Sequence, residues 1–181
     1  ELIDSREPQV VCGIVSDVRV INGRSGRVMI FKLDDGSESI ESVANEDALS
    51  LPQRELLKED ELVIIQGKLQ PDRFAGGLRL NVQQVWDLAA ARARLGRYLA
   101  VDLNGHVPPV AELVKSSPAR KVETDEGQTL TQGLPVRLRL QRARAAAEIE
   151  LGDDGRIWPS DDALARWRAV AEQGRAVVMY E

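Results

Sequence analysis

The chain has 181 residues, of which 43% are hydrophobic, and its formal net charge at pH 7 is −5. This length accommodates one large or two small globular domains, and the acidic balance argues against tight non-specific binding to DNA. A single cysteine and a single histidine exclude a disulfide framework, a zinc site and a histidine-based catalytic triad.

The sequence has no signal peptide, and no apolar run approaches the ~18 residues that a membrane span needs. Because a single cysteine rules out a disulfide framework, we expect a cytoplasmic protein, and we expect no contact with membranes. The first residue is Glu1 and not methionine, so we expect a piece of a longer protein.

The first half of the chain is rich in alternating apolar and polar residues, which predicts β-strands. The predicted strands cover residues 8–22, 28–33, 37–43, 61–70 and 77–86. A helical stretch begins at Asn45, and Ser50 predicts a fresh cap ahead of residues 54–58. Cys12 lies among apolar strand residues, which predicts a buried thiol. Three strands, a helix and two strands match the order of the OB-fold, an all-β five-stranded Greek-key barrel.

Basic and aromatic residues cluster where an OB-fold binds its ligands. The binding face comprises strands 2 and 3 and the loops between strands 1 and 2 and strands 4 and 5, which fall at residues 23–27 and 72–77. The candidate nucleic-acid-binding residues are Arg19, Arg24, Arg27, Lys32, Arg73, Phe74 and Arg79. Phe74 is the candidate for stacking on a base, an interaction that contributes about 1–3 kcal/mol. Because residues 1–87 hold 10 Lys and Arg against 16 Asp and Glu, we expect local and weak binding.

Adjacent aspartates occur at residues 34–35, 153–154 and 161–162. Each pair lies at a predicted turn or helix start, where aspartate is favoured for local reasons. We therefore predict no catalytic residue, no metal site and no cofactor in this chain.

The second half mixes helices and strands. We predict helices at 87–97, 110–115 and from Ser160 to Gly174, with a surface loop at 116–133. The predicted strands cover residues 98–103, 135–141, 147–151, 156–159 and 176–180. The predicted organisation is an OB-fold at 1–87, a connecting helix and strand at 88–103, and an α+β domain at 104–181.

The three tryptophans and the last residues admit structural and binding interpretations. Core positions are favoured for Trp86, Trp158 and Trp167 because each follows or lies on a predicted element. Residues 177–180 are predicted as a paired strand, although an exposed tail captured by a partner is also compatible with the sequence.

Several motifs carry a resemblance to a known family. Residues 26–31 (GRVMIF) resemble nucleic-acid-binding OB-folds in general. Residues 74–80 (FAGGLRL), 85–88 (VWDL), 134–138 (LPVRL) and 158–161 (WPSD) together resemble the C-terminal region of the bacterial DNA polymerase III alpha subunit. The resemblance extends from about Pro8 to the last residue, and the loop 116–133 matches poorly.

The resemblance implies that the parent is a replicative DNA-directed DNA polymerase whose catalytic aspartates lie outside this chain, so this fragment is not itself an enzyme. Its OB-fold would touch single-stranded template DNA. Its last domain would bind the tau subunit of the clamp loader, and such subunits also bind the sliding clamp. The candidate partner-binding residues are Trp167, Val177, Val178, Met179 and Tyr180.

Two alternatives stay open at the level of sequence. Residues 11–35 alone also fit an OB module for RNA, such as a tRNA anticodon-binding domain. The acidic first half equally allows an adaptor whose barrel binds only protein. The domain that follows residue 98 argues against the RNA module.

Overall fold

The computed structural model describes residues 7–23, 26–72, 76–123 and 127–180. The chain forms two compact units, Glu1–Leu88 and Ala89–Glu181. No helix in the described ranges reaches the length and hydrophobicity that crossing a bilayer demands.

Five strands of the first unit close into a barrel. They are β1 (Gln9–Gly23), β2 (Gly26–Asp34), β3 (Ser39–Asn45), β4 (Leu62–Pro71) and β5 (Leu78–Trp86). Their order around the barrel is β1-β2-β3-β5-β4, in which β3 and β5 are parallel and the other neighbours antiparallel. The helix α1 (Leu51–Glu55) connects β3 to β4. This arrangement confirms the predicted OB-fold.

The barrel core follows from the alternation of side chains along the strands, because successive residues point to opposite faces. Met29, Phe31 and Leu33 of β2 are buried, whereas Lys32 between them is exposed. Cys12 was predicted to be buried but is exposed. It alternates with Gly13, whose position points inward and whose missing side chain leaves room for the Leu33 side chain and the Asp34 carbonyl.

The helix between β3 and β4 is stabilised by the cap that the sequence predicts. The Ser50 N–H donates a hydrogen bond to Oε1 of Gln53, at 3.1 Å. Gln53 in turn donates to Oε1 of Gln84, at 2.6 Å, which ties the helix to β5. The helix begins at Leu51, three residues before the predicted start, because Pro52 occupies its first turn, where a missing N–H has no cost.

A mixed four-stranded sheet forms the centre of the second unit. The elements of this unit are α2 (Leu88–Leu95), β6 (Tyr98–Leu103), α3 (Val110–Ser116), β7 (Arg120–Glu123), β8 (Thr129–Gln132), β9 (Val136–Arg142), β10 (Ala145–Glu150), α4 (Asp161–Val170) and β11 (Ala176–Met179). The sheet order is β10-β9-β6-β11, with β6 and β9 parallel. Strands β7 and β8 form a separate hairpin.

The structure differs from the sequence-based prediction in several details of this unit. The predicted surface loop at 116–133 contains the β7–β8 hairpin. The strand predicted as a connector is β6, which lies inside the sheet between β9 and β11. The strand predicted at 156–159 is reduced to isolated bridges at Ile157. Helix α4 ends at Val170 and not at Gly174, since Ala171 is extended, with φ −78° and ψ 149°; a separate 3-10 turn, Glu172–Gly174, follows.

One side of the sheet packs against α3 and α4 to form the second core. Leu99, Val101 and Leu103 of β6 point to this side, and Leu164 and Trp167 of α4 cover them. Helix α4 starts where predicted: the Ser160 hydroxyl accepts a hydrogen bond from the Ala163 N–H, at 3.2 Å. The other side of the sheet carries the alternate residues of each strand.

Candidate nucleic-acid interface

Three of the predicted nucleic-acid-binding cations lie close together on the outward side of the barrel. Lys32 of β2 is paired in register with Glu41 of β3, and Glu41 is paired with Arg79 of β5. Arg19 of β1 is paired with Ile30, two residues from Lys32 and therefore on the same side of the sheet. The fold thus brings Arg19, Lys32 and Arg79 to one face.

Each of these cations contacts a carboxylate of the barrel itself. Lys32 Nζ lies 2.8 Å from Asp17. Glu41 lies between two arginines, at 2.7 Å from Arg79 and 3.9 Å from Arg19. Arg79 also contacts Asp72, at 3.1 Å. The face is therefore locally neutralised and is not a strip of free positive charge.

Arg27, at the start of β2, has the same kind of partner. Its Nε lies 3.4 Å from Glu46, and Glu46 also lies 3.9 Å from Arg54. Arg54 was not singled out from the sequence, because it lies outside the predicted binding loops and only the fold brings it to Glu46. All four described candidate cations of the barrel are thus paired.

An irregularity in the pairing of β1 with β2 positions Asp17, the residue that pairs with Lys32. The β1–β2 register shifts between Ser16 and Arg19, and Asp17 adopts a left-handed φ of 54° within this irregularity. Aspartate tolerates that conformation better than most residues. The hydrogen bond and the charge of Lys32 lower the pKa of the Asp17 carboxyl, which keeps the pair ionised at neutral pH.

The stacking hypothesis concerns residues outside the described ranges. Arg24, Arg73 and Phe74 all lie there. Within the described part of the first unit, the aromatic side chains are Phe31 and Trp86, which are 1% and 7% exposed. Neither can stack on a base, so Phe74 is the remaining aromatic candidate of the barrel.

The candidate partner-binding residues divide into buried and exposed groups. Strand β11 pairs with β6 in the register Val177–Ala100 and Met179–Tyr98, so the paired-strand interpretation is confirmed for these residues. Val177 and Tyr180 are 53% and 54% exposed, whereas Val178 packs against the core. Trp167 is 1% exposed. Its side chain packs inside the core of the second unit and leaves almost no surface for a partner, which corrects its assignment to a partner surface.

The described residues offer no metal site: no three His, Cys, Asp or Glu side chains among them are grouped as ligands. The carboxylates that face Arg19, Lys32 and Arg79 are each engaged with a cation. The cations and carboxylates of this face are therefore already paired with one another.

Comparison with known proteins defines the class. Residues 9–88 match the family described as OB-fold nucleic acid binding domain, and these residues span the five-stranded barrel. The first unit therefore has the OB-fold and is similar to the nucleic-acid-binding domains of this family.

Comparison of the whole chain with known proteins gives a more specific assignment. It is 32% identical over 172 residues to the DNA polymerase III subunit alpha of Pseudomonas aeruginosa, covering 93% of this chain and 14% of that protein. It is 33% identical over 153 residues to the same subunit of Escherichia coli strain K12, covering 84% of this chain and 13% of that protein. The chain is homologous to a region of the DNA polymerase III alpha subunit, and it spans about one seventh of the length of these relatives.

One solved structure is similar to part of this chain. A small single-stranded DNA-binding protein from Streptomyces coelicolor is 18% identical, with a TM-score of 0.37, over 47% of this chain and 98% of that chain.

Proposed function

We propose that this chain is the non-catalytic C-terminal region of a replicative DNA polymerase. Its OB-fold contacts single-stranded template DNA, and its α+β unit tethers the polymerase to the tau subunit of the clamp loader. The homology to DNA polymerase III alpha subunits along 93% of the chain is the observation that supports this proposal. The catalytic aspartates belong to the rest of the parent protein, in the cytoplasm. The sliding clamp is a further partner of that protein, and this region takes no cofactor.

The ion pairs of the barrel support weak contact with DNA. A phosphate that approaches Arg19, Lys32 or Arg79 must compete with Asp17, Glu41 or Asp72. The pair between Lys32 and Asp17 is exposed, and such pairs are worth only about 0.2–1 kcal/mol, so competition there lowers affinity without abolishing binding. Arg79 is held more firmly, because its partner Asp72 is buried. The DNA contact therefore assists a larger assembly, in which the polymerase domain and the tether hold the template nearby.

The DNA contact is tested with the full chain and a labelled single strand of about 16 nucleotides, a length that an OB-fold can cover. The double variant Arg24→Ala with Arg73→Ala should bind more weakly. The slope of log affinity against log salt should become shallower by about 0.7 for each phosphate that the variant no longer binds. The matched control is Arg144→Ala with Arg166→Ala, which removes two exposed arginines of the second unit. An unchanged slope in the loop variant would contradict the DNA proposal.

The tether is tested by titrating the tau subunit against the full chain. Binding at micromolar concentration, with the chain shown to be folded by circular dichroism, is the expected result. Absence of binding under those conditions would overturn the tau proposal while leaving the DNA proposal intact.

A protein-only adaptor is the second candidate, and the pairing of all four described barrel cations favours it. An RNA module is the third. Competition between DNA and RNA single strands separates these candidates. Preference for RNA favours the RNA module, because the 2′-OH is the discriminating group, and no binding to either strand favours the adaptor.

A further inference from the structure

A cavity of about 430 Å³ opens on the outward side of the second sheet. Its walls come from the first residues of β6 and β9, the end of β10 and the 3-10 turn that follows. Three arginines line it, Arg97, Arg137 and Arg156, against two carboxylates, Glu150 and Asp153. The chain as a whole is acidic, so this local excess of guanidinium groups is a distinct feature.

Two of the three arginines are held in place by their neighbours. Arg137 stacks on Tyr98, with 4.0 Å between its Cζ atom and the ring centroid. It also pairs with Glu150, and this hydrogen bond raises the pKa of the guanidinium. Arg156 contacts Asp153 at 2.8 Å and donates to the Gly133 carbonyl at 3.1 Å. The cavity wall is therefore fixed before any ligand arrives.

Arg97 differs from these two. Its backbone N–H donates to the Met179 carbonyl, at 2.7 Å, which fixes the residue at the end of β11. Its side chain is exposed and makes no ion pair with any residue in the described ranges. The guanidinium of Arg97 is therefore available to an anion entering the cavity.

An apolar strip lies next to the cavity on the same side of the sheet. Met179 is paired with Tyr98, and Val177 with Ala100. Directly paired residues share a face, so Val177 and Met179 lie beside Tyr98, which also lines the cavity. Val177 is 53% exposed. The surface thus combines an anion site with an adjoining aliphatic patch.

We propose that this surface binds a segment of a protein partner, with an acidic side chain of the segment at Arg97 and an apolar side chain on Val177 and Met179, beside the Tyr98 ring that Arg137 covers. The inference rests on the proposed tether function and names its site and chemistry. A nucleic acid fits less well. Repeated phosphates would meet Glu148, Glu150 and Asp153 around the cavity, and Arg137 already covers the Tyr98 ring. A single carboxylate can avoid those groups.

The test uses the full chain, with tau as the protein probe and an alternating Leu-Glu peptide of about nine residues as the chemical probe. Arg97→Glu should weaken tau binding at least about ten-fold, because it removes a charge-assisted hydrogen bond and places a like charge beside the acidic side chain of the segment. In nuclear magnetic resonance titrations, the Leu-Glu peptide should shift the amide signals of residues 97–98 and 177–179. The equivalent Leu-Gln peptide should leave them in place.

The matched control is Arg166→Glu, which makes the same charge change at an exposed residue of α4, the helix that packs on the opposite side of the sheet. It should change tau affinity less than two-fold. Equal loss in both variants would overturn the site, since general electrostatics would then account for the effect. If tau does not bind the unmodified chain, the tether proposal fails, and the peptide titration still decides the site. Amide shifts at these residues with an oligonucleotide and not with the Leu-Glu peptide would overturn the proposal.

Discussion

The two units present outward sheet faces that are alike in composition and different in pairing. On the barrel, Arg19, Lys32 and Arg79 each contact a carboxylate of the same face. On the second sheet, Arg137 is paired, whereas Arg97 beside it has no such partner among the described residues. Counting basic and acidic residues along the sequence therefore does not show where an anion can bind. Strand register decides which cations are already neutralised.

The first prediction asks whether the two units are independent in stability. Trp167→Ala should destabilise the second unit by about 3–5 kcal/mol, because it leaves a large cavity in a core where the side chain is 1% exposed. The barrel core contains none of the residues that Trp167 contacts in its own core. Hydrogen exchange followed by mass spectrometry should therefore show reduced protection in β6, β9 and β11 and unchanged protection in β1 to β5.

The reciprocal variant is Phe31→Ala, which removes a side chain that is 1% exposed in the barrel core. It should lower protection in the barrel and leave the second unit unchanged. A parallel fall in protection in both units, for either variant, would show that the two cores unfold as one.

The sequence predicts the barrel well and its binding face less well. Alternation at Val28–Leu33 and the Ser50 cap determine the strands and α1 locally, so these predictions needed no tertiary information. The partners of Arg19 and Arg79 depend on the register between distant strands, which places Glu41 between them. A pattern of spaced cations cannot show such a pairing, because the neutralising residue lies on another strand.

The same distinction applies to the second unit. Helical spacing placed Trp167 on the apolar face of α4, and the residue lies in the core. Its prediction as a partner contact was wrong, since the apolar face of such a helix is the face that packs against the core. The hairpin β7–β8 was missed because its strands have only four residues each. Arg97 was missed as well. It follows a Gly at the end of a predicted helix, and no local signal marks its place at the cavity.

The second prediction tests whether carboxylates restrain the barrel cations. Glu41→Gln removes the shared partner of Arg19 and Arg79, which lie 3.9 and 2.7 Å away. Affinity for a single-stranded oligonucleotide at low salt should rise about two- to five-fold, because the change frees Arg19 and leaves Arg79 with Asp72 as its partner. Fluorescence anisotropy over a series of salt concentrations should also show a steeper slope, since more phosphate contacts form.

The control for this change is Glu55→Gln, which removes the same charge from an exposed residue of α1 that forms no ion pair in the described ranges. Its affinity should change much less than that of Glu41→Gln. An equal rise in both variants would attribute the gain to net charge. The ion pairs with Glu41 would then not restrain Arg19 and Arg79, and the contrast with Arg97 of the second unit would be lost.

The third and smallest prediction compares a turn of the barrel with a turn of the second unit. The Asp35 carboxylate accepts hydrogen bonds from the Ser37 hydroxyl at 2.6 Å and from the N–H groups of Ser37 and Glu38 at 2.9 and 3.0 Å. The Ser37 hydroxyl and these amides lower the pKa of Asp35 from 3.8 to about 2. The folded state therefore binds a proton less readily than the unfolded state. The stabilisation is present above the unfolded pKa of 3.8 and is lost as pH falls toward 2.

Asp35→Asn should accordingly flatten the decline in barrel stability between about pH 4 and pH 2, measured as the midpoint of urea unfolding. The comparison variant is Asp154→Asn, in the 3-10 turn Asp153–Gly155 of the second unit, where the carboxylate makes no hydrogen bond or ion pair within the part of the chain that the structure describes. That variant should follow the unmodified chain through the same pH range. A carbon-detected magnetic resonance titration of the Asp35 carboxyl supplies the direct check. A midpoint near 3.8 would show that the Ser37 hydroxyl and the two amides do not hold the carboxylate in solution, because each of those bonds favours the ionised form.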